Sequence, residues 1–367
     1  MKTLIPIAVV ALLTQLAITS PVYAQAAAAQ SAGRTAASPL APSEIVAAAP
    51  AGDWRPIAAA DLLVMTLAPD AKGAARRVVI QLMPPPFSQG WVGNIRKLAA
   101  AHWWDELSVN RVQDNYVAQW GDADGEDKAK ARARALPAAL AVVPESGYVA
   151  APDEGLSKAM QSAVQAMASI ALLSTCILQN QPDEKAKAAC GATTIVRPIG
   201  DKDAYESHVG HFRGWPYATD FTSAWPVHCY GMVGVGRNLS PDTGSGAELY
   251  TVIGHAPRHL DRNIALVGRV IEGIEHLSSL PRGTEALGFY KTAAERTAIV
   301  SIRLGREVAD LPRYEYLSTE SGSFAKYADA RANRRDAFFI RPAGGADICN
   351  IPVPVRRSTL RQAKGSR

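Results

Sequence analysis

Cysteine is scarce: four of the 367 residues, at positions 176, 190, 229 and 349. None belongs to a CxxC pair, which excludes a dithiol redox centre and a thiolate zinc cluster of ordinary spacing. HExxH is absent, and no Gly-x-Ser-x-Gly elbow stands between a strand and a helix; Gly244-Ser-Gly lies in a turn-rich loop. Those gaps argue against a zincin and a serine hydrolase. The apolar run Ile5–Leu16 falls short of the ~20 residues that a spanning helix needs. The net charge of +5 is concentrated in clusters, Lys128–Arg134 and the tail Arg356, Arg357, Arg361, Lys364 and Arg367. Interleaved aromatics and nucleic-acid motifs are missing there, so the charge reads as a solvated face or tail, with no nucleic-acid partner.

Lys2, the short apolar run and Val22-Tyr23-Ala24 before Gln25 read as a cleavable secretory signal over residues 1–24. No Cys follows the run, so a lipid anchor is not indicated. A soluble periplasmic protein is expected, without stable membrane insertion. In that compartment thiols oxidise; four cysteines leave three pairings open. Cys176 and Cys190 are near enough to close a small loop, whereas Cys229 and Cys349 lie far apart.

Residues 25–53, rich in Ala, Pro and Ser, read as a flexible linker. From Trp54 the pattern is globular. Leu63, Met65 and Leu67 alternate, a turn follows at Pro69–Gly73, and Val78–Leu82 completes a hairpin. Ser88 is the expected N-cap of a helix carrying Val92, Ile95, Leu98 and Ala99. Strand character returns at Val109–Gln119, Tyr230–Val235, Glu248–Ile253 and Ala265–Val270. Between them, residues 123–204 read as a partly helical insertion, with a helix over Ser157–Leu178 whose Met160 and Met167 are packing residues. The fold class is mainly β with few helices, a closed barrel or sandwich in one domain over 54–345, followed by a basic tail over 346–367. Two His pairs, His208/His211 and His255/His259, have spacings known from helical metal sites. Their Gly- and Pro-rich surroundings argue for loops, and no metal or other cofactor is expected.

The most informative segment is Val109-Asn-Arg-Val-Gln-Asp-Asn-Tyr-Val-Ala-Gln-Trp-Gly-Asp122. A bend near Asp114 and Asn115 sets Arg111 beside Gln119, and a guanidinium with five donors suits a partly dry cleft. Alone, an Arg and a Gln on a strand are more often a surface pair.

In context the segment resembles the cyclophilin family, whose strand reads roughly Phe-His-Arg-Val and then, after a short bend, Phe-Met-Ile-Gln-Gly-Gly-Asp. Tyr230-Gly-Met-Val-Gly-Val-Gly-Arg, a turn and Thr243–Ile253 are similar to the family's Met-Ala-Asn segment, loop and Gly-Ser-Gln-Phe-Phe-Ile strand. Pro257–Gly273 resembles its Trp-Leu-Asp-Gly-Lys-His-Val-Val-Phe-Gly-Lys-Val block. The resemblance spans about residues 60–122 and 205–280, with a weaker closing strand at Ala337–Pro342. It implies an antiparallel β-barrel of cyclophilin type and a peptidyl-prolyl cis-trans isomerase. Arg111 would be catalytic and Gln119 would orient the substrate. Tyr116, Val117, Met232, Tyr250, Leu260 and His259 would form the substrate pocket. The departures are Ala247 and Glu248 for Ser and Gln, His259 for Trp, and Ile264 for His.

The partners it implies are proline-containing segments of folding exported proteins, met by a monomer. The alternative is a non-catalytic module that grips such segments. Retained Arg111 favours catalysis, whereas Glu248, His259 and Ile264 favour the module.

Overall fold

The computed structural model describes residues 39–125, 133–162 and 203–358. The expected signal, most of the linker, Cys176, Cys190 and Met167 lie outside the described residues.

Fourteen strands are present among the described residues: β1 (Trp54–Ile57), β2 (Leu62–Leu67), β3 (Arg76–Leu82), β4 (Ser108–Val112), β5 (Val117–Gly121), β6 (His208–Phe212), β7 (Trp215–Thr219), β8 (Ala224–Pro226), β9 (Met232–Val235), β10 (Leu249–Val252), β11 (Leu266–Glu272), β12 (Thr297–Leu304), β13 (Tyr314–Leu317) and β14 (Val355–Arg357). Eight of them close an antiparallel barrel in the order β10-β5-β4-β12-β2-β3-β11-β9, which removes the open edges that would otherwise template aggregation. The expected hairpin is β2–β3, with Leu63 opposite Ile80 and Met65 opposite Val78. The barrel closes through β12, which pairs with β2 and β4, and not through Ala337–Pro342. That segment forms no strand, and its Phe338 and Ile340 are exposed. β12 shows an irregular burial pattern broken by a register shift, so a period-two reading misses it.

The helix Gln89–Ala100 buries Trp91, Val92, Ile95, Leu98 and Ala99 against the barrel, the spacing that puts side chains on one helical face. Ser88 occupies the N-cap but is left-handed, with φ of 56°, and makes no side-chain cap bond. Gln89 Nε2 instead donates to the carbonyls of Met83 at 3.1 Å and Phe87 at 2.7 Å.

Three segments outside the barrel carry more structure than their composition suggests. The first is the linker: Pro42–Ala47 is helical, with Glu44 Oε2 accepting from the Ala41 amide at 2.7 Å. Ile45 and Val46 pack on Trp54, Phe324 and Tyr327, so the last part of the linker has apolar surface to bury after all. The second is the insertion, whose residues 133–162 add Val143, Tyr148, Leu156 and Met160 to the main core. Asn94 clamps this strap by pairing both ways with the backbone of Ala141 at 2.8 Å. Helical conformation is described for residues 154–162; the remainder of the expected helix lies outside the described residues. Beyond it, β6–β8 form a three-stranded sheet that composition did not reveal. His208 and His211, three apart on β6, project to opposite faces. His208 packs on Tyr217 and Phe221, while His211 Nε2 donates to Ile351 O at 3.0 Å.

The third is the basic tail, of which residues 346–358 are built into the fold. β14 pairs with β13, Arg356 binds Glu315 at 2.6 Å and Arg357 binds Glu272 at 2.7 Å. Those cations are therefore paired and not simply solvated. Tyr327 Oη donates to Pro352 O at 2.8 Å, and a disulfide joins Cys349 to Cys229 across 120 residues. Cross-linking so long a loop is worth about 2–4 kcal/mol. The Cys229→Ser/Cys349→Ser double variant is therefore expected to unfold roughly 5 °C or more below the parent in calorimetry. An unchanged midpoint would mean that packing alone holds the segment.

Candidate active site

A β-bulge aims the central side chain. Val109 opposes Trp120, yet Arg111 opposes Gln119, so one extra residue is accommodated at Asn110. In a regular strand Arg111 would share the inward face of Val109; the bulge turns it outward, while Val109 and Val112 remain fully buried. The chain reverses through Asn115, left-handed with φ of 49°, as the bend near Asp114 and Asn115 requires. Asn115 Oδ1 accepts from the His255 amide at 2.8 Å. Any side chain at Gly254 would collide with the Asn115 backbone, at 2.1 Å from its carbonyl carbon, so this glycine lets the hairpin tip dock.

The half-buried Arg111 guanidinium is held on several sides. Nη1 donates to Gln119 Oε1 at 3.1 Å, Nε to Leu287 O at 2.7 Å, and Nη2 to Gln113 Oε1. The Tyr116 and Phe289 rings lie 5.7 and 5.3 Å from the guanidinium carbon, within cation–π range. The contact with segment 286–289 is continued by a backbone bridge from Arg111 to Phe289. Composition and spacing gave no sign of Leu287 or Phe289.

Next to Arg111, Val117, Tyr250 and Val252 pack with half-buried Tyr116 and Ile264 into an apolar group. Tyr250 opposes Gln119 on one side and Gly234 on the other. A Cβ on Gly234 would sit 2.3 Å from the Tyr250 ring, so glycine makes room for that ring. Arg111, Gln119, Tyr116, Val117 and Tyr250 thus converge. Of the remaining expected residues, Leu260 is half-buried and His259 exposed, both on the single 3₁₀ turn Arg258–Leu260. Ile264, expected only as a departure, contributes to the apolar group where Leu260 does not. Met232 is buried in the main core and lines a separate cavity of about 410 Å³ with Cys229, Arg269 and Ile348. The structure does not bring it to Arg111. Glu248 is half-buried and accepts from the Asp122 amide at 2.6 Å.

Sequence reasoning also missed what lies under Tyr250. Its hydroxyl meets His228 Nε2 at 2.9 Å, and His228 Nδ1 meets Asp261 Oδ1 at 2.8 Å. Burial pushes the Tyr250 phenol well above its ordinary value, so it stays protonated. Burial also holds the His228 imidazole below its ordinary value, against the opposing pull of Asp261. Tyr116 too is pushed up by burial, the nearby Arg111 charge opposing. Asp261 stands in the quoted block Pro257–Gly273, but nothing in the spacing singles out His228.

Among the described residues, no group of His, Cys, Asp or Glu gathers to hold a metal ion, and no helix is long and apolar enough to cross a membrane. Chemically, the site offers a fixed guanidinium at the rim of an apolar floor, with an amide beside it.

The family model described as cyclophilin type peptidyl-prolyl cis-trans isomerase/CLD matches residues 77–303. Among solved structures, the cyclophilin AquaCyp293 from Hirschia baltica is similar, with a TM-score of 0.53 and 18% identity over 83% of this chain and 94% of that one. A cyclophilin type isomerase from Cryptosporidium parvum, solved in the presence of the dipeptide Ala-Pro, is similar at a TM-score of 0.32 and 9% identity, over 66% of this chain and 98% of that one. No curated protein matches the chain.

Phe289→Ala removes one of the two cation–π contacts of Arg111, worth about 0.5–1 kcal/mol. The Arg111 Nε proton, now donated to Leu287 O, is expected to exchange with water several-fold faster by NMR. Unchanged exchange would show that Leu287 and Gln119 hold the guanidinium without the ring.

Proposed function

The chain belongs to the cyclophilin-type peptidyl-prolyl cis-trans isomerases, and on that premise we propose that Arg111 and Gln119 carry its reaction on proline-containing segments of exported proteins. It is a peptidylprolyl isomerase; the residue roles, the clients and the periplasmic setting are our reading.

Rotation about an X–Pro bond meets a barrier of about 18–20 kcal/mol, because amide resonance is lost on the way. No bond breaks, so the protein must bind the twisted amide more tightly than either planar form. In the twisted state the prolyl nitrogen is pyramidal and regains a lone pair. The Arg111 guanidinium, always charged, donates to that lone pair more strongly as it localises. Tyr250, Val117 and Tyr116, with Ile264, hold the ring and exclude water, and a drier site strengthens the contact from Arg111. Gln119 anchors a peptide carbonyl, so one side of the bond is held while the other turns. Arg111 already has partners in Gln119, Gln113 and Leu287. They pre-orient the fork, and its exchange of one internal bond for the prolyl nitrogen is the step that catalysis requires.

The observation that carries this reading is the convergence of Arg111, Gln119 and Tyr250 on adjacent barrel strands β4, β5 and β10. Export is supported by the residues 1–24 pattern and by the Cys229–Cys349 disulfide, a bond suited to an oxidising compartment. Exchange measured by NMR on a proline peptide is expected to accelerate. Arg111→Ala is expected to lower kcat/KM about 10²–10³-fold, the usual loss when one preorganised donor to transition-state charge is removed. A folded wild-type chain that binds the peptide without acceleration would instead favour a non-catalytic peptide-binding module.

A further inference from the structure

Below the pocket floor runs a polar chain inside the protein. Tyr250 Oη donates to His228 Nε2 at 2.9 Å, and the His228 amide and Nδ1 both donate to Asp261 Oδ1, at 2.9 and 2.8 Å. Arg258 Nε donates to Asp261 Oδ2 at 2.6 Å, and its two terminal nitrogens grip Asp203 at 2.8 and 3.1 Å. His228 is 0% exposed, Arg258 3% and Asp261 7%. Burying so many polar and charged groups costs free energy that hydrophobic replacements would avoid.

We propose that His228 and Asp261 are positioning residues that fix the tilt and depth of the Tyr250 ring, and so the shape of the proline pocket. This rests on the reading of Tyr250 as the pocket floor. Dispersion contacts with Val117, Val252, Tyr116 and Ile264 resist removal of the ring but are non-directional. Gly234 gives it a flat seat on β9, since any Cβ there would overlap it. The hydroxyl supplies the directional restraint. Because His228 Nδ1–H donates to the Asp261 carboxylate, Nε2 of the neutral imidazole is left as an acceptor, and the phenol donates to it. The imidazole cannot turn away, for Asp261 also holds its backbone amide and is itself held by Arg258. It lies nearly parallel to the Tyr250 ring, at 11°. Since Tyr250 and Gln119 are cross-strand partners, a shift of the ring changes the gap that a proline must fill below Gln119 and Arg111.

The floor touches the proline ring in planar and twisted forms alike, so losing its restraint weakens ground-state and transition-state binding together and is read in KM. The test uses the full chain, as parent, Tyr250→Phe, His228→Gln and the double variant. An Ala-Pro-containing peptide serves as probe, with KM and kcat taken from NMR exchange and Kd from titration. Each single variant is expected to raise KM and Kd about 5–20-fold, with the loss carried in KM more than in kcat. The double variant is expected to be no worse than the weaker-binding single variant, because His228 acts through the hydroxyl that Phe lacks. Multiplying losses would show that His228 acts on the fold independently of the floor and would overturn the proposal. So would unchanged KM and Kd in Tyr250→Phe, which decides the matter even if His228→Gln fails to fold. A parent that binds without accelerating exchange refutes the isomerase reading alone and leaves the positioning claim to Kd; a parent that does not bind refutes both.

Discussion

Register across four neighbouring barrel strands is the constraint on which the site depends. Arg111 on β4 faces Gln119 on β5, which faces Tyr250 on β10, which faces Gly234 on β9. Side chains alternate between the two faces of a sheet, so a one-residue slip sends a whole strand's set to the wrong side. Closure of the barrel excludes such a slip because each strand is paired on both edges. The bulge at Asn110 is part of the same constraint. It leaves Val109 and Val112 in the core and puts Arg111 on the face of Gln119, which unbroken pairing does not allow.

Around this frame the accessory segments act as braces. The C-terminal segment is joined by Cys349–Cys229 to the stretch leading into β9, immediately after His228. The strap over residues 133–150 is pinned to the helix Gln89–Ala100 through Asn94 and through the stack of Trp91 on Tyr148 at 5.3 Å. The same helix and the turn that follows it hold the loop before β10, with Trp91 Nε1 donating to Thr243 O at 3.1 Å and Trp104, in that turn, donating through Nε1 to Ala247 O at 2.8 Å. The strand bearing Tyr250 is thereby steadied at its entry, and Asp203 extends the polar chain below the floor toward β6.

Much of the barrel and the centre of the site were legible in the sequence. Alternation disclosed β2, the turn and the apolar run after it disclosed β3, helical spacing disclosed Gln89–Ala100, and the motif resemblance brought out Arg111, Gln119, Tyr116, Val117 and Tyr250. What stayed hidden depends on contacts between residues remote in sequence. β12 carries no clean alternation because a register shift interrupts it. The linker and tail look polar or Ala-rich in isolation and find apolar partners only in the assembled fold. Met232 aligns with a pocket segment, but its side chain is absorbed by the core beside Cys229 and Arg269. Ile264 read as a lost polar group and became apolar lining. His228 carried no motif, because its partners Tyr250 and Asp261 lie 22 and 33 positions away.

The central claim is that a proline ring rests on Tyr250 with its nitrogen under the Arg111 guanidinium. A crystal structure of the chain with an Ala-Pro-containing peptide tests it most directly. The ring is expected against Tyr250 and Val117, with a peptide carbonyl on Gln119 and the prolyl nitrogen within about 3–3.5 Å of Arg111. A proline bound in the cavity beside Met232, or an Arg111 still turned wholly to Leu287 and Gln113 and away from the ring, would contradict it.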